Sequence, residues 1–537
     1  MNTNKYLHWK KIVCIFKVNK NLILLFLLFV FFFTFPVLIL WDSSHYMNYV
    51  SIFEGNLPIS SWDIVRGPVF PFLIFLSNCL FGKTAMGILF LTFLFYLGMF
   101  ITCLRILKLL KPQKKSSKIL LYFLFMLLIV LNPIIFGYYH AMLTEFVAIT
   151  VGLFSCYLGW EFLRIDYSKN KTKFVLFSIY FAIMVPFAWF LKQPYVSIVL
   201  FPLLISVVIG MFTTKNIKKN IQRVIVLIIS VFSLFFSIFL WNEFLKYKNI
   251  DTHTNRGANS ILGNQLLVAL RKNFRIIDAS KENLYESTSD SLFANKTEGS
   301  FPNEGILLKV GVYSKDKEVD TIVFDIGKDG IISSVEAFRF LVDVSINHPY
   351  LLLDSYLTNY LGIINIYNSK TLDGAYYYVE KDLRLIGCNE NCSIAVGITD
   401  KKENIYYMPD NMYSLVESYE QESNSPFIFR KLLSLNKYPS IVIFNYSLLF
   451  LPFILLASIL YLIIKRKELN ENNIELMYLV IILLSFSFLH ILAHAFTGAV
   501  LDRYASPALI PTILGYIVFC SVFLAKRKFK NRDLFVK

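Results

Sequence analysis

Apolar residues gather along this chain in ten runs, near 21 to 41, 84 to 107, 119 to 136, 141 to 163, 174 to 190, 194 to 213, 221 to 243, 440 to 464, 476 to 496 and 506 to 525. Each approaches the roughly 20 helical residues that cross about 30 Å of hydrocarbon. The pattern predicts a polytopic α-helical membrane protein of about ten spans. Basic clusters at 5 to 20, 105 to 118, 164 to 173, 215 to 223, 465 to 467 and 526 to 537 alternate with turns almost free of cations. The positive-inside rule then places the clusters and both termini in the cytoplasm. The first run reads as an uncleaved signal anchor, because Phe35, Pro36 and Trp41 stand where a small-residue cleavage site would follow.

Two shorter patterns stand out. In WDSSHYMNYVSIFEGN, Tyr46, Tyr49, Val50 and Phe53 recur at helical spacing and Gly55 follows as a stop, which predicts an amphipathic helix lying in the interface. Between the seventh and eighth runs, residues 244 to 439 are nearly balanced in charge. Alternating stretches such as KVGVYSK, TIVFDIG and SIAVGITD predict an inserted extracytoplasmic α+β domain. Within it, 335 to 347 reads as a helix ended by His348-Pro349. The apolar stretch after it is interrupted by Asp354, Asn359 and Gly362, so it is expected to lie against the membrane face or the domain core rather than to span. The chain thus divides into 1–243 (seven spans and a first outer loop, 42–83), 244–439 (the outer domain) and 440–537 (three spans and a basic tail).

Composition agrees with this division. Hydrophobic residues make up 56% of 537, with 52 Phe, and the mean hydropathy is +0.56; no soluble core hides that much apolar surface. The formal charge of +16 sits beside hydrophobic runs and is explained by orientation, so no nucleic-acid partner is inferred. Five of the seven cysteines lie in or next to apolar runs; Cys388 and Cys392 stand in a polar segment, and their spacing alone does not establish a disulfide. Gly82-Lys83-Thr84 lacks the upstream glycine of a nucleotide-binding loop.

Candidate chemistry concentrates on the predicted outer side, where the short connections carry only Arg66, Lys83, Lys192 and Arg503 as cations. Such exceptions suit an anionic ligand. Asp42 at the mouth of the first run reads either as a helix cap or as a general base. Arg66, with Asp63 before it and Pro68 and Pro71 after it, reads as an interfacial anchor or an anion contact. Glu145 opens the fourth run, where a helix dipole stabilises an acid. His490 and His494 fall one turn apart; they read as two satisfied interfacial side chains or as metal ligands, and a divalent metal is left open. Tyr376 to Tyr378 fit a strand with one buried face or a contact to sugar or lipid headgroups.

A span, then Asp42 with its aromatic helix, then Arg66-x-Pro68-x-x-Pro71, resembles the first outer loop of GT-C superfamily glycosyltransferases that use polyprenyl-phosphate sugars, of the mannosyltransferase and aminoarabinose-transferase kind. Asn132-Pro133 leading to YYHAMLTE, FLKQP with Lys192, and DRYASP with Arg503 and Tyr504 follow in the expected order. The resemblance covers the membrane portion and leaves 244–439 unmatched. It implies Asp42 as catalytic base and Arg66, Lys192 and Arg503 as donor-phosphate contacts, with Asp63, Glu145, Tyr504 and His494 as secondary candidates. Asp42-Ser43-Ser44 departs from members that carry paired acids there, which puts a metal in doubt.

The expectation is therefore an integral membrane glycosyltransferase in a plasma or bacterial inner membrane. It would transfer a sugar, with inversion, from a polyprenyl-phosphate donor to an envelope glycan, lipid or protein acceptor. Two alternatives stay open. An O-antigen-type polymerase or ligase would carry its essential charges in the large loop instead of the first. A lipid-linked-glycan flippase would show paired repeats or broken helices with central charges, and none is evident in the sequence.

Overall fold

The computed structural model describes residues 25–37, 41–62, 67–110, 115–165, 170–213, 216–250, 272–276, 307–315, 317–325, 334–364, 376–378, 383–385, 418, 427–496 and 502–533. Among them, eight helices are long and apolar enough to cross a membrane, nine if one bent pair counts as a single span. This is a polytopic helical membrane protein. The helices are α1 (25–33), α2 (Trp41–Phe53), α3 (Val69–Phe81), α4 (Ala85–Leu109), α5 (Lys115–Phe125), α6 (Pro133–His140), α7 (Glu145–Arg164), α8 (Lys171–Leu191), α9 (Ser197–Thr213) and α10 (Ile217–Tyr247). After an insertion come α14 (Lys437–Lys465), α15 (Glu471–Phe496) and α16 (Ser506–Asp533).

Burial follows the sequence of each helix. Helix α7 is apolar on every side, as an all-round buried helix must be, and it packs against α4, α9, α15 and α16. Its approach to α9 is close because Gly159 has no side chain: a Cβ there would come within 2.7 Å of Ser206 Oγ and 3.0 Å of the Pro202 carbonyl. Small residues at such crossings let helices gain dispersion contacts where lipid offers no hydrophobic driving force. Helix α10 is the opposite case. It leaves Phe232, Phe235, Phe236 and Phe239 exposed, an apolar surface suited to acyl chains.

The third predicted run, 119 to 136, is corrected: it is not one straight span. Residues 119–130 and Pro133–His140 diverge by 47°, with a π-helical turn at Met126–Val130 before Pro133. Proline removes a donor and breaks the ladder, and carbonyls released at membrane depth need partners from the protein. Two asparagines supply them. Asn132 donates to the Leu128 carbonyl at 3.1 Å and accepts from the amides of Ile134 and Ile135. Asn436, at the start of α14, donates to the carbonyls of Leu127 at 2.6 Å and Leu131 at 2.8 Å. Beyond the break, His140 is fully buried between the rings of Phe32 and Phe136. Its ring nitrogens lie 2.9 and 3.0 Å from the carbonyls of Phe136 and Phe32, tying α6 to α1.

The first loop holds two helices. As expected, α2 buries Tyr46, Tyr49 and Val50 and stops at Gly55, whose φ is +78°. Helix α3 was not anticipated within the loop; at 13 residues it is too short to span, and it packs on α2 through Tyr46 against Phe70 and Phe53 against Phe72 and Phe75.

The described part of the 244–439 insertion contains a three-stranded antiparallel sheet, β1 (Phe274–Ile276), β2 (Leu307–Ser314) and β3 (Lys317–Asp325), in that order. Next come α11 (Ser334–Asn347) and α12 (Pro349–Ile364), then the pair β4 (Tyr376–Tyr378) and β5 (Leu383–Leu385), and α13 (Phe427–Leu435). The Tyr376–Tyr378 run is thus a strand, and it lies beside α6. Helix α12 docks on the bundle as expected: Asn359 donates to the Ala495 carbonyl at 3.1 Å and Tyr356 meets Phe496 edge to face at 4.3 Å. Cys388, Cys392 and the stretch 393–400 lie outside the described residues.

Two predictions follow from these joints. Replacing Asn436 by Ala leaves two buried carbonyls without their donor. Thermal or denaturant unfolding of the purified protein should show a loss of about 1–3 kcal/mol, and an unchanged midpoint would remove Asn436 from this role. The second concerns acid. A hydrogen bond from Lys272, then one from Asn273, hold the Asp354 carboxyl below its usual range, and a hydrogen bond from His348 does the same for Asp320. A depressed carboxylate stabilises the fold fully above its ordinary value of about 3.9 and loses that contribution as pH falls through the lower folded value. Amide protection in β2 and β3, corrected for intrinsic exchange, should therefore fall below about pH 4 before that of α7 does, and less so in Asp320→Asn.

Candidate functional site

The insertion hangs from one end of the bundle, and at that end four of the sequence-predicted residues meet: Glu145, Lys192, His494 and Tyr504. They arrive from four places. Glu145 is the first residue of α7, where the positive end of the helix dipole favours a carboxylate. Lys192 closes α8 in an extended conformation; Pro194 follows in the 3-10 turn Gln193–Val196, and a proline disfavours helix just before it. His490 and His494 share one face of α15 at i and i+4. Tyr504 belongs to the 3-10 turn Asp502–Ala505 that leads into α16. Because α7 and α15 pack on each other and each packs on both α9 and α16, these ends are brought together.

The geometry is that of a cation in an aromatic and acidic seat. Lys192 Nζ lies 3.7 Å from Glu145 Oε1, with side-chain exposures of 14% and 1%. That separation exceeds the 2.7–2.9 Å typical of a charge-assisted hydrogen bond, so the contact is chiefly Coulombic. The ammonium also stands over the ring of Tyr504 at 4.4 Å and that of Tyr195 at 5.6 Å, and cation–π attraction is strongest where water is excluded. Glu145 Oε2 accepts from Thr144 Oγ1 at 3.3 Å. His494 stacks on Tyr504, 4.7 Å between centroids and 6° from parallel.

His490 fixes the far side. Its Nε2 is 3.0 Å from the Tyr504 carbonyl and its Nδ1 2.8 Å from Ser197 Oγ. A carbonyl only accepts, so in the neutral ring Nε2 carries the proton and Nδ1 is the acceptor facing the Ser197 hydroxyl, whose one proton is shared with the Pro194 carbonyl at 2.9 Å. Both nitrogens of His490 thus have protein partners, as expected of a satisfied side chain rather than a metal ligand. Among the described residues no group of three or more His, Cys, Asp or Glu could hold a metal ion.

The remaining candidates are placed by their neighbours. Asp42 is the second residue of α2; Ser43, next to it, is buried and donates to the Met142 carbonyl at 3.0 Å, three residues before Glu145. Asp63 and Arg66 lie outside the described residues. Gly67, which follows Arg66, sits so close to the Phe190 carbonyl that any Cβ would collide with it, and Phe190 is two residues from Lys192. Arg503 immediately precedes Tyr504 in its turn. The side chains of Asp42 and Arg503 are outside the description. Lys83 pairs with Glu54 at 2.6 Å, consistent with an anchor. Tyr195 and Ser197 were missed in the sequence; the signal available was an aromatic three residues after a lone cation.

No family model, no curated protein and no solved structure matches this chain. The fold and the site therefore define a class, a polytopic helical membrane protein with a buried ion pair at the end of the bundle that carries its insertion.

Removing one member of a buried pair leaves the other charge without its counter-ion, which costs about 3–5 kcal/mol, whereas removing both costs far less. Lys192→Met should accordingly lower stability by about that amount, and Glu145→Gln combined with Lys192→Met should recover most of it. Unfolding midpoints of the single and double variants in detergent measure the difference; additive effects would show that the two groups are not coupled.

Proposed function

We propose that this chain is an integral membrane glycosyltransferase that moves a sugar from a polyprenyl-phosphate donor to an acceptor hydroxyl at the extracytoplasmic end of its bundle. The observation that carries the proposal is the gathering of Lys192, Glu145, Tyr504 and His494 at one end, with the described neighbours of Asp42, Arg66 and Arg503 bordering the same turns. Ionisable groups kept at membrane depth are costly, and function is the usual reason for retaining them.

In the reaction so read, Asp42 takes the proton of the acceptor hydroxyl while its oxygen bonds to the anomeric carbon. The bond from that carbon to the phosphate oxygen breaks, its electron pair stays on the phosphate, and the sugar is inverted. The departing phosphate monoester gains negative charge, which fixed cations stabilise more in the transition state than in the ground state. Glu145 already offsets Lys192, so most of the net positive charge falls to Arg66 and Arg503. Guanidinium groups suit that role because they bind phosphate oxygens in pairs. Lys192 then serves as a donor positioned by the Glu145 carboxylate.

A second reading has one observation in its favour. The break between 119–130 and 133–140 is the kind of discontinuous helix that transporters use at substrate sites, and the sequence had offered no such break. Its polar groups are the amides of Asn132 and Asn436, both spent on backbone carbonyls. That favours a structural kink over a lipid-headgroup path.

Protein in nanodiscs, offered a panel of polyprenyl-phosphate sugars, should release polyprenyl phosphate. Asp42→Asn should slow release by at least about 100-fold, the scale of a lost general base, and Arg66→Ala should do likewise. Parent-like turnover in both variants would sink the assigned roles; movement of labelled lipid between leaflets without release would favour the transporter.

A further inference from the structure

Away from the ion pair, three elements of the insertion enclose a cleft of about 250 Å³ lined by Lys272, Asn273, Tyr313, Lys315, Tyr350 and Asp354. We infer that this cleft binds one sugar ring of an acceptor glycan, neutral or singly acidic. The inference deepens the glycosyltransferase reading and, as an acceptor subsite, rests on it.

The walls are built rather than incidental. Asn273 is 6% exposed and donates to the Leu351 carbonyl at 3.0 Å, to Asp354 Oδ2 at 2.9 Å and to Ser355 Oγ at 3.2 Å. Lys272 reaches both carboxylate oxygens of Asp354, at 2.9 and 2.8 Å, and Thr358 Oγ1 at 2.9 Å. Asp354 is thereby held in one orientation, with lone pairs beyond those contacts to accept from hydroxyl groups. The third wall is the β2–β3 hairpin. The register slips between Val312 and Tyr313, a bulge of the kind that re-aims a side chain, and the Tyr313 amide donates to the Asn273 carbonyl at 2.7 Å. Lys315 at the turn has φ of 50°, the left-handed conformation that a two-residue hairpin loop requires. His348 bonded to Asp320 at 2.8 Å ties the hairpin to the start of α12.

Chemistry selects the ligand. Among the described lining residues Lys272 is paired with Asp354 and Lys315 is the one other cation, which is too little for a phosphate cradle. Two tyrosines beside a fixed carboxylate instead offer apolar ring faces and a hydroxyl acceptor, the combination a pyranose presents to its host. Tyr350 is 65% exposed, an aromatic face turned to solvent at the rim. The volume falls just under the range of about 300–1,000 Å³ for drug-sized ligands, room for one ring. Position fits as well. Along α12, Asp354 stands about one and a half turns from Asn359, which bonds Ala495 next to His494.

The test uses the full-length protein in nanodiscs with trisaccharides of glucose, of N-acetylglucosamine and of glucuronate, followed by saturation-transfer NMR. At least one should bind, and Tyr350→Ala should weaken it by about threefold to tenfold, with Lys315→Ala weakening the glucuronate compound most. Both side chains are exposed, so neither substitution opens the core. No saccharide binding in the parent, displacement of the sugar by inorganic phosphate, or parent-like affinity in both variants would each overturn the subsite. In transfer assays the variants should raise the acceptor KM while leaving kcat and acceptor-free donor release unchanged. Donor release with an unchanged acceptor KM removes the subsite and keeps the enzyme; sugar binding lost in the variants without any donor release removes the enzyme and keeps the cleft.

Discussion

A carboxylate and an ammonium withdrawn from water impose the order seen at the end of the bundle where α7 begins and α8 stops. Lys192 and Glu145 are both nearly enclosed, and each offsets part of the cost of withdrawing the other from water. Their pairing requires α7 to begin where α8 ends. The aromatic seat of Tyr504 and Tyr195 then fixes where the turn before α16 must lie, and His490 fastens that turn to α15 and the start of α9. Four segments far apart in the chain are thus held in register by a small polar knot in an otherwise apolar bundle.

Much of the fold could be read from the sequence, because uninterrupted apolar runs report the bilayer directly. The spans from Ala85 onward fall where the runs do, and the amphipathic spacing of Tyr46, Tyr49 and Val50 gave α2. Hydropathy has no term for a break whose hydrogen bonds are completed elsewhere. Leu127, Leu128, Ile129 and Val130 look like any lipid-crossing sequence, and the residues that complete their carbonyls, Asn436, Asn132 and Tyr96, lie outside that run. Helix α3 was hidden for a different reason: a mostly apolar helix of 13 residues, with Pro68 before it and Pro71 in its first turn, reads as a loop when only membrane-length helices are sought.

The site was legible as a set of residue types on one side and illegible as a set of partners. Lone ionisable groups in short connections drew notice to Lys192 and Glu145, but nothing in either segment says that the two neutralise each other. The same holds for His490. Its spacing from His494 left satisfied side chains and metal ligands both open, and only the fold shows its nitrogens committed to Ser197 and to the backbone of Tyr504, contacts that exist only after α9, α15 and α16 have packed.

Asn436 has a consequence for biosynthesis. The carbonyls it completes, those of Leu127 and Leu131, precede it by 309 and 305 positions, and a ribosome delivers the chain from its amino end. The kinked segment must therefore enter the membrane with two acceptors still wanting the donor that Asn436 supplies, until the last fifth of the polypeptide emerges. The bend is completed only after most of the chain has been made.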